Sequence, residues 1–341
     1  MKLDAALPPI PLSEVPAIAR AAETLGFDAI WSTETTHDPF LPHTLIAEHT
    51  QTLRSGTAIA VSFARSPATI AYTAWDLAAQ SQGRFMLGLG TQVKGHIERR
   101  FGLEWPESVT GKLREQIKVI RAFWDTWQND APLNFRGEYY KITLMAPFFN
   151  PGPLPVSVSG GGARGLIPIY IAGVNTGLAK LAGEVCDGFH IHPFHTPEYL
   201  KQVLLPSIRY GAEKTGRTRS DVTISATIFA ASDETELAFC RQQISFYAST
   251  PSYRPVMQLH GWGATAEKLS SLAARGQWKE MPTLITDQML ETFAVIADEN
   301  ELAAEIHKRY GGLTDRVTLY IPFIPGKRDA FWKKLTSEFN G

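Results

Sequence analysis

The 341-residue sequence holds only two cysteines, Cys186 and Cys240, both in apolar stretches and at no metal-ligand spacing. That excludes a disulfide framework and a thiolate metal centre, and leaves two reduced, buried thiols. Charge of one sign is lacking as well: 33 Lys and Arg stand against 34 Asp and Glu. There is no electrostatic footprint for nucleic acid or for an acidic membrane. No apolar run approaches a membrane span, and Met1-Lys2-Leu3-Asp4 lacks the apolar core of a signal peptide. No serine sits on a Gly-x-Ser-x-Gly elbow, and no Walker loop is present. A cytoplasmic homodimer acting on a small molecule, with no nucleic-acid or membrane partner, is the expectation.

What is there is a repeating unit. Hydrophobic residues make up 44% of the chain, ample for one large core. Leu3 to Leu7 reads as a strand. Val15, Ile18, Ala19, Ala22 and Leu25 recur at helical spacing, and Gly26 stops that helix. Phe27 to Ser32 is a second strand and empties into the polar loop Thr33 to Pro42. A helix near Leu45 to Leu53, a third strand (Gly56 to Phe63) and a helix from Pro67 to Gln82 follow. The fourth strand, Arg84 to Gly90, is short, apolar and glycine-framed, and it delivers the chain into a polar loop bearing Gly95 and Gly102.

A helix from Lys112 to Gln128 comes next, then an irregular segment over about 130–165 that includes Gly160-Gly161-Gly162. A structureless stretch that long reads as an insertion or a cover. Strand five (Pro168 to Ala172) feeds Gly173-Val174-Asn175-Thr176-Gly177 and a helix, and strand six (Gly188 to His192) feeds Pro193-Phe194-His195. Strands seven and eight fall at Val222 to Ala230 and Arg316 to Pro322, with a helical insertion between them over about 235–313. Eight alternations predict an α/β fold, a single (β/α)8 TIM-barrel domain over residues 1–341; an open doubly wound sheet is the alternative.

In such a barrel the site lies at the strand C-termini. His190 and His192 share one side of a strand, and with His195 they are a pattern for a metal-dependent hydrolase. Alternatively, the turn Gly173-Val174-Asn175 before a helix start can hold a phosphate on its free N–H groups, with His195 as a further donor. Phe40, Tyr253, His260 and Trp262 are candidates for a substrate wall, with Arg99 and Arg100 near an anionic tail.

Four segments together resemble the bacterial luciferase-like superfamily, in its branch using the deazaflavin coenzyme F420. They are Ala21-Ala22-Glu23-Thr24-Leu25-Gly26-Phe27-Asp28-Ala29-Ile30-Trp31, Gln82 to Thr91, Pro168 to Gly173, and Cys186-Asp187-Gly188-Phe189. The resemblance implies an F420-dependent oxidoreductase, with an FMN-dependent monooxygenase as the rival on the same barrel and a cofactor-binding protein without turnover as a third reading. It implies a non-proline cis peptide at Ala58-Ile59 behind the cofactor ring. It further places cofactor contacts on Glu34, Thr35, Thr91, His96, Gly173, Val174, Asn175 and His195. The histidine and glutamate that handle the proton in the family's sugar-phosphate dehydrogenases are replaced here by Thr35 and Val93. Glu34, His37 and His96 are therefore the candidates for that task. On this reading Gly173→Val should weaken cofactor binding and leave the barrel folded.

Overall fold

The computed structural model describes residues 1–154 and 167–341. Among the described residues there are twelve strands: β1 (Lys2–Ala6), β2 (Ala29–Ser32), β3 (Arg54–Thr57), β4 (Ala60–Val61), β5 (Phe85–Gly90), β6 (Phe135–Arg136), β7 (Lys141–Ile142), β8 (Ile169–Gly173), β9 (Gly188–Ile191), β10 (Thr223–Ala231), β11 (Ala294–Ile296) and β12 (Arg316–Leu319). Pairing runs β1-β2-β3-β5-β8-β9-β10-β12, all parallel, and β12 pairs with β1. The sheet is thus a closed eight-stranded barrel with helices on its outside, as the alternation predicts.

Local chemistry accounts for the outer helices. In Val15–Leu25 the predicted stripe Val15, Ile18, Ala19 and Ala22 is the buried face, and Gly26 ends it at φ 88°. Pro67–Gln80 starts at Ser66, whose hydroxyl accepts from the Thr69 N–H.

Differences from the sequence reading lie where short-range pattern is weak. The third strand begins earlier, at Arg54, and breaks into β3 and β4 across a cis peptide bond at Ala58–Ile59, where the resemblance places one. The second helix is Leu41–His49, shifted toward the N-terminus because Pro42 fits its first turn. The polar loop after β5 contains a short helix, Lys94–Arg99. The irregular segment opens with the β6–β7 hairpin; the predicted cover at Gly160-Gly161-Gly162 lies outside the described residues. Between β10 and β12 the insertion is mostly helical, but it also adds β11, a parallel neighbour for the last residues of β10.

Most apolar burial lies between the sheet and its helices, but the barrel interior is a separate cluster of Ala29, Trp31, Met86 and Tyr170. Glycines make room for its rings. A methyl group at Gly56 would lie 2.5 Å from the Trp31 ring, and one at Gly188 2.1 Å from that of Tyr170. The His190 ring completes the plug, edge-on to Trp31 and 4.9 Å from Tyr170. Beside it is a buried ion pair: Arg316 donates to both carboxylate oxygens of Asp4, at 2.7 and 2.5 Å, and the Trp31 indole N–H donates to the same carboxylate at 2.8 Å. The tube is a packed core, and a ligand is confined to its mouths.

Candidate active site at the strand C-termini

The loops that leave the strand ends fall into three sectors of one mouth. The first follows β2, β4 and β5. Glu34, with a side chain only 7% exposed, accepts from the Val61 N–H at 2.6 Å and from Arg65 at 2.7 Å. Arg65 also reaches Asp38 at 3.0 Å. Both contacts are commitments of the Glu34 carboxylate, which ties the chain after β2 to β4. Ile59 lies across Gly90, where a methyl group would come within 2.5 Å of its Cδ1. Thr91 is buried and donates to the Gln92 carbonyl. Thr35 is exposed and receives Arg100 on its carbonyl at 3.1 Å, while His37 and His96 are both exposed. The predicted proton carriers are therefore not equivalent: one is held in an ion pair and two face solvent.

The second sector is the turn after β8. Val174 is buried, and Asn175 sits at the N-cap of the ten-residue helix Thr176–Val185 without capping it through its side chain. The first N–H groups of that helix are thus left for another acceptor. The Asn175 amide instead donates to the Ser252 carbonyl at 2.9 Å, and its Oδ1 is buried without a partner. That bond joins the turn to the segment carrying Tyr253, His260 and Trp262. Gly173 has another reason to be glycine: a Cβ there would lie 2.8 Å from Leu178 Cβ and 3.4 Å from Phe189. It permits close helix–strand packing, so Gly173→Val is expected to disturb that junction, and the selective loss of cofactor binding predicted from sequence is corrected.

The third sector follows β9, β10 and β12. His192 accepts from the Phe194 N–H on Nδ1, at 3.0 Å, and its ring meets those of Tyr247 and Tyr253, each at 4.7 Å. His260 contacts the Thr196 hydroxyl at 2.9 Å and stacks on Trp262. His195 turns elsewhere. Its Nδ1 bonds the His192 carbonyl at 2.8 Å, and its ring meets Tyr310 on the helix Leu302–Tyr310. With Nδ1 as the donor, its buried Nε2 presents a lone pair. A lone pair does not donate to a phosphate, so the donor role expected of His195 is not offered by this tautomer. Phe40 is also apart from the other wall residues: it lies under Arg65, 5.4 Å from ring centre to guanidinium, and lines a flank groove of about 300 Å³ with Leu41, Ile70 and Thr73.

The three histidines of the metal reading point in different directions. Among the described residues no group of three His, Cys, Asp or Glu is placed to hold a metal ion. Arg65, Tyr247 and Tyr320 were missed by sequence reasoning. Arg65 carried no motif, and the tyrosines looked like ordinary helix and strand periodicity.

Burial sets the protonation of the histidines. It pushes His43, His190 and His192 down to about 3 and His195 to about 4. An unfolded histidine takes up its proton near pH 6.5. Between those values the unfolded chain binds more protons, so stability rises with pH across the window and is lost as pH falls through it. Thermal unfolding followed by circular dichroism should show a melting temperature level above neutrality and falling steadily from about pH 6.5 toward 4. A profile flat through pH 5 would mean that these imidazoles are not held neutral.

The fold is a parallel barrel whose strand C-termini open between an uncapped helix start on one side and aromatic rings on another. The family described as luciferase-like monooxygenase matches residues 2–316, and the chain belongs to that family of oxidoreductases. An uncharacterised protein of Mycobacterium tuberculosis is 41% identical over 323 residues, covering 93% of this chain and 92% of that one. The F420-dependent glucose-6-phosphate dehydrogenase of Amycolatopsis mediterranei is 29% identical over 303 residues, covering 84% of this chain and 81% of that one. The coenzyme F420 dependent tetrahydromethanopterin reductase from Methanopyrus kandleri superposes with a TM-score of 0.78 at 18% identity, covering 99% of this chain and 97% of that one, a likeness of fold. Among the described residues no helix is long and apolar enough to cross a membrane.

Proposed function

We propose that the protein is a coenzyme F420-dependent oxidoreductase acting on an organic small molecule at the C-terminal mouth of the barrel. The uncapped start of the helix Thr176–Val185, with the unpartnered buried Oδ1 of Asn175 beside it, carries this reading. N–H groups and a positive helix end suit a phosphate, and the bare amide oxygen suits a hydroxyl of the chain attached to it. The residues present therefore fit the group. When bound, the deazaflavin supplies hydride transfer.

The protein's own share is positioning and exclusion of water. Val174 and the N–H groups of Thr176 and Gly177 would hold the phosphate end. Asn175 couples that end to the Ser252 segment, so cofactor and substrate sites are ordered together. Glu34 and Arg65 fix β4, and Ile59 packed across Gly90 would offer an apolar surface to the cofactor ring. The dehydrogenase relative named for F420 supports the choice of cofactor, and the family's monooxygenase description favours FMN as the second reading.

Titrating the purified protein with each cofactor and following cofactor fluorescence separates the two. Binding of F420 in the micromolar range or tighter, with FMN much weaker, is expected; tight FMN binding with none for F420 would overturn the proposal. The same reading makes the enzyme a cytoplasmic homodimer, and light scattering after size-exclusion chromatography checks the dimer.

A further inference from the structure

Three adjacent strands, β9, β10 and β12, end beneath one continuous aromatic wall. His192 and Phe194 rise from β9, Phe229 lies near the end of β10, Tyr247 comes from the helix Glu234–Ala248, and Tyr320 directly follows β12. The Phe229 and Tyr320 rings are 4.9 Å apart, those of Tyr247 and Tyr320 are 6.2 Å apart, and Tyr253 closes the row beside His192 and Phe194. Besides His192, a pair of hydroxyls interrupts it. The hydroxyls of Tyr247 and Tyr320 lie 2.6 Å apart, with Gln243 Oε1 3.4 Å from that of Tyr320. Tyr320 donates to Gln243 Oε1 and Tyr247 then donates to Tyr320, so both protons are used and lone pairs remain to accept a hydrogen bond. Turning the Tyr320 O–H from the long Gln243 bond onto Tyr247 frees the Tyr247 proton to donate instead.

Among the described residues, the arginines that flank this wall are paired. Arg241 is paired with Asp287, Arg254 with Glu267, and Arg328 with Glu236 and Glu299. His192 is a neutral ring whose Nδ1 is occupied by the Phe194 N–H. Burial, with the neighbouring Tyr320, pushes the Tyr247 hydroxyl upward, so it too stays uncharged. A phosphate or carboxylate placed against this wall would lose its water without gaining a cation.

Building on the oxidoreductase reading, we infer that the Tyr247–Tyr320 hydroxyl pair anchors the oxygen of a neutral, largely apolar alcohol or carbonyl substrate. The rings hold the apolar body, and the pair fixes which carbon faces the cofactor. The alternative is that the pair merely fastens the helix Glu234–Ala248 to the end of β12.

Binding of benzyl alcohol, benzoate and glucose 6-phosphate to the protein, with and without F420, distinguishes these roles by ligand-observed NMR titration. Benzyl alcohol is expected to bind, with both anions weaker by about ten-fold or more. Tyr247→Phe should weaken benzyl alcohol about five-fold while F420 affinity and the near-ultraviolet circular dichroism stay unchanged. Tyr320→Phe should weaken it less, since it frees the Tyr247 hydroxyl, whereas in Tyr247→Phe the remaining Tyr320 hydroxyl is still drawn to Gln243 Oε1. Alcohol binding indifferent to both substitutions, or glucose 6-phosphate binding tighter than the alcohol, would overturn the inference. If Tyr247→Phe does not fold, the ranking of the three probes on the wild-type protein and the Tyr320→Phe titration still decide it. Failure of F420 to bind the wild-type protein would count against the oxidoreductase reading alone, because the alcohol titration without cofactor stands independently.

Discussion

Replacing Asp4 by alanine will destabilise the barrel by about 3–5 kcal/mol, because it leaves a guanidinium in the interior with its charge partner gone. Asp4 and Arg316 are 1% and 4% exposed, so water does not compensate. The same substitution strands the Trp31 indole N–H, whose bond to Asp4 is 2.8 Å long, in a site where an unmade hydrogen bond is costly. Denaturant unfolding monitored by Trp fluorescence reads the loss directly. The double replacement Asp4→Leu with Arg316→Met removes both charges and should recover much of it, since an ion pair traded for apolar volume is often neutral. A single variant within 1 kcal/mol of wild type, about a five-fold change in the folding equilibrium, would mean that the interior is wetter than the packing implies.

Glu34→Ala should raise the F420 dissociation constant about ten-fold, through lost order in the floor of the mouth. Without the carboxylate the Val61 N–H loses its acceptor and Arg65 keeps only the Val61 carbonyl and the more exposed Asp38. Glu34→Gln separates the two roles the residue could have. Its amide oxygen still accepts from Val61 and Arg65, so a positioning role predicts cofactor affinity and turnover close to wild type. A role in proton transfer predicts loss of turnover by about 10²–10⁴-fold in both variants, because an amide does not carry the proton. Turnover is read as cofactor absorbance with whichever substrate a screen of neutral alcohols and ketones identifies.

These two sites also mark how far the sequence could be read. Asp4 sat in a predicted strand as an isolated charge, and nothing in Lys2–Ala6 announces that Arg316 closes on it from a strand 312 positions later. Glu34 was legible as a candidate from the loop after β2. Its ion pair with Arg65 was not, since Arg65 lies beyond a neighbouring strand and belongs to no motif. The turn at Gly173 was found for the right reason in outline, a strand feeding a helix start. The glycine itself answers to Leu178 and Phe189 packing against it. His195 looked like a phosphate partner because it is near in sequence to a strand end, and its ring instead turns toward Tyr310.

By itself the sequence determined the alternation of eight strands with helices, the helix stops at residues such as Gly26, the side of the barrel on which the loops gather, and the family. Those properties follow from local spacing and from motifs a few residues long, where neighbours in the chain are neighbours in space. Tertiary structure alone decided the buried Asp4–Arg316 pair, the plug of Trp31, Tyr170 and His190, the Glu34–Arg65 contact, and the meeting of the Tyr247 and Tyr320 hydroxyls. Each joins side chains from separate strands or helices. Which of many such pairs meets is fixed only when the barrel closes and sets the strand register.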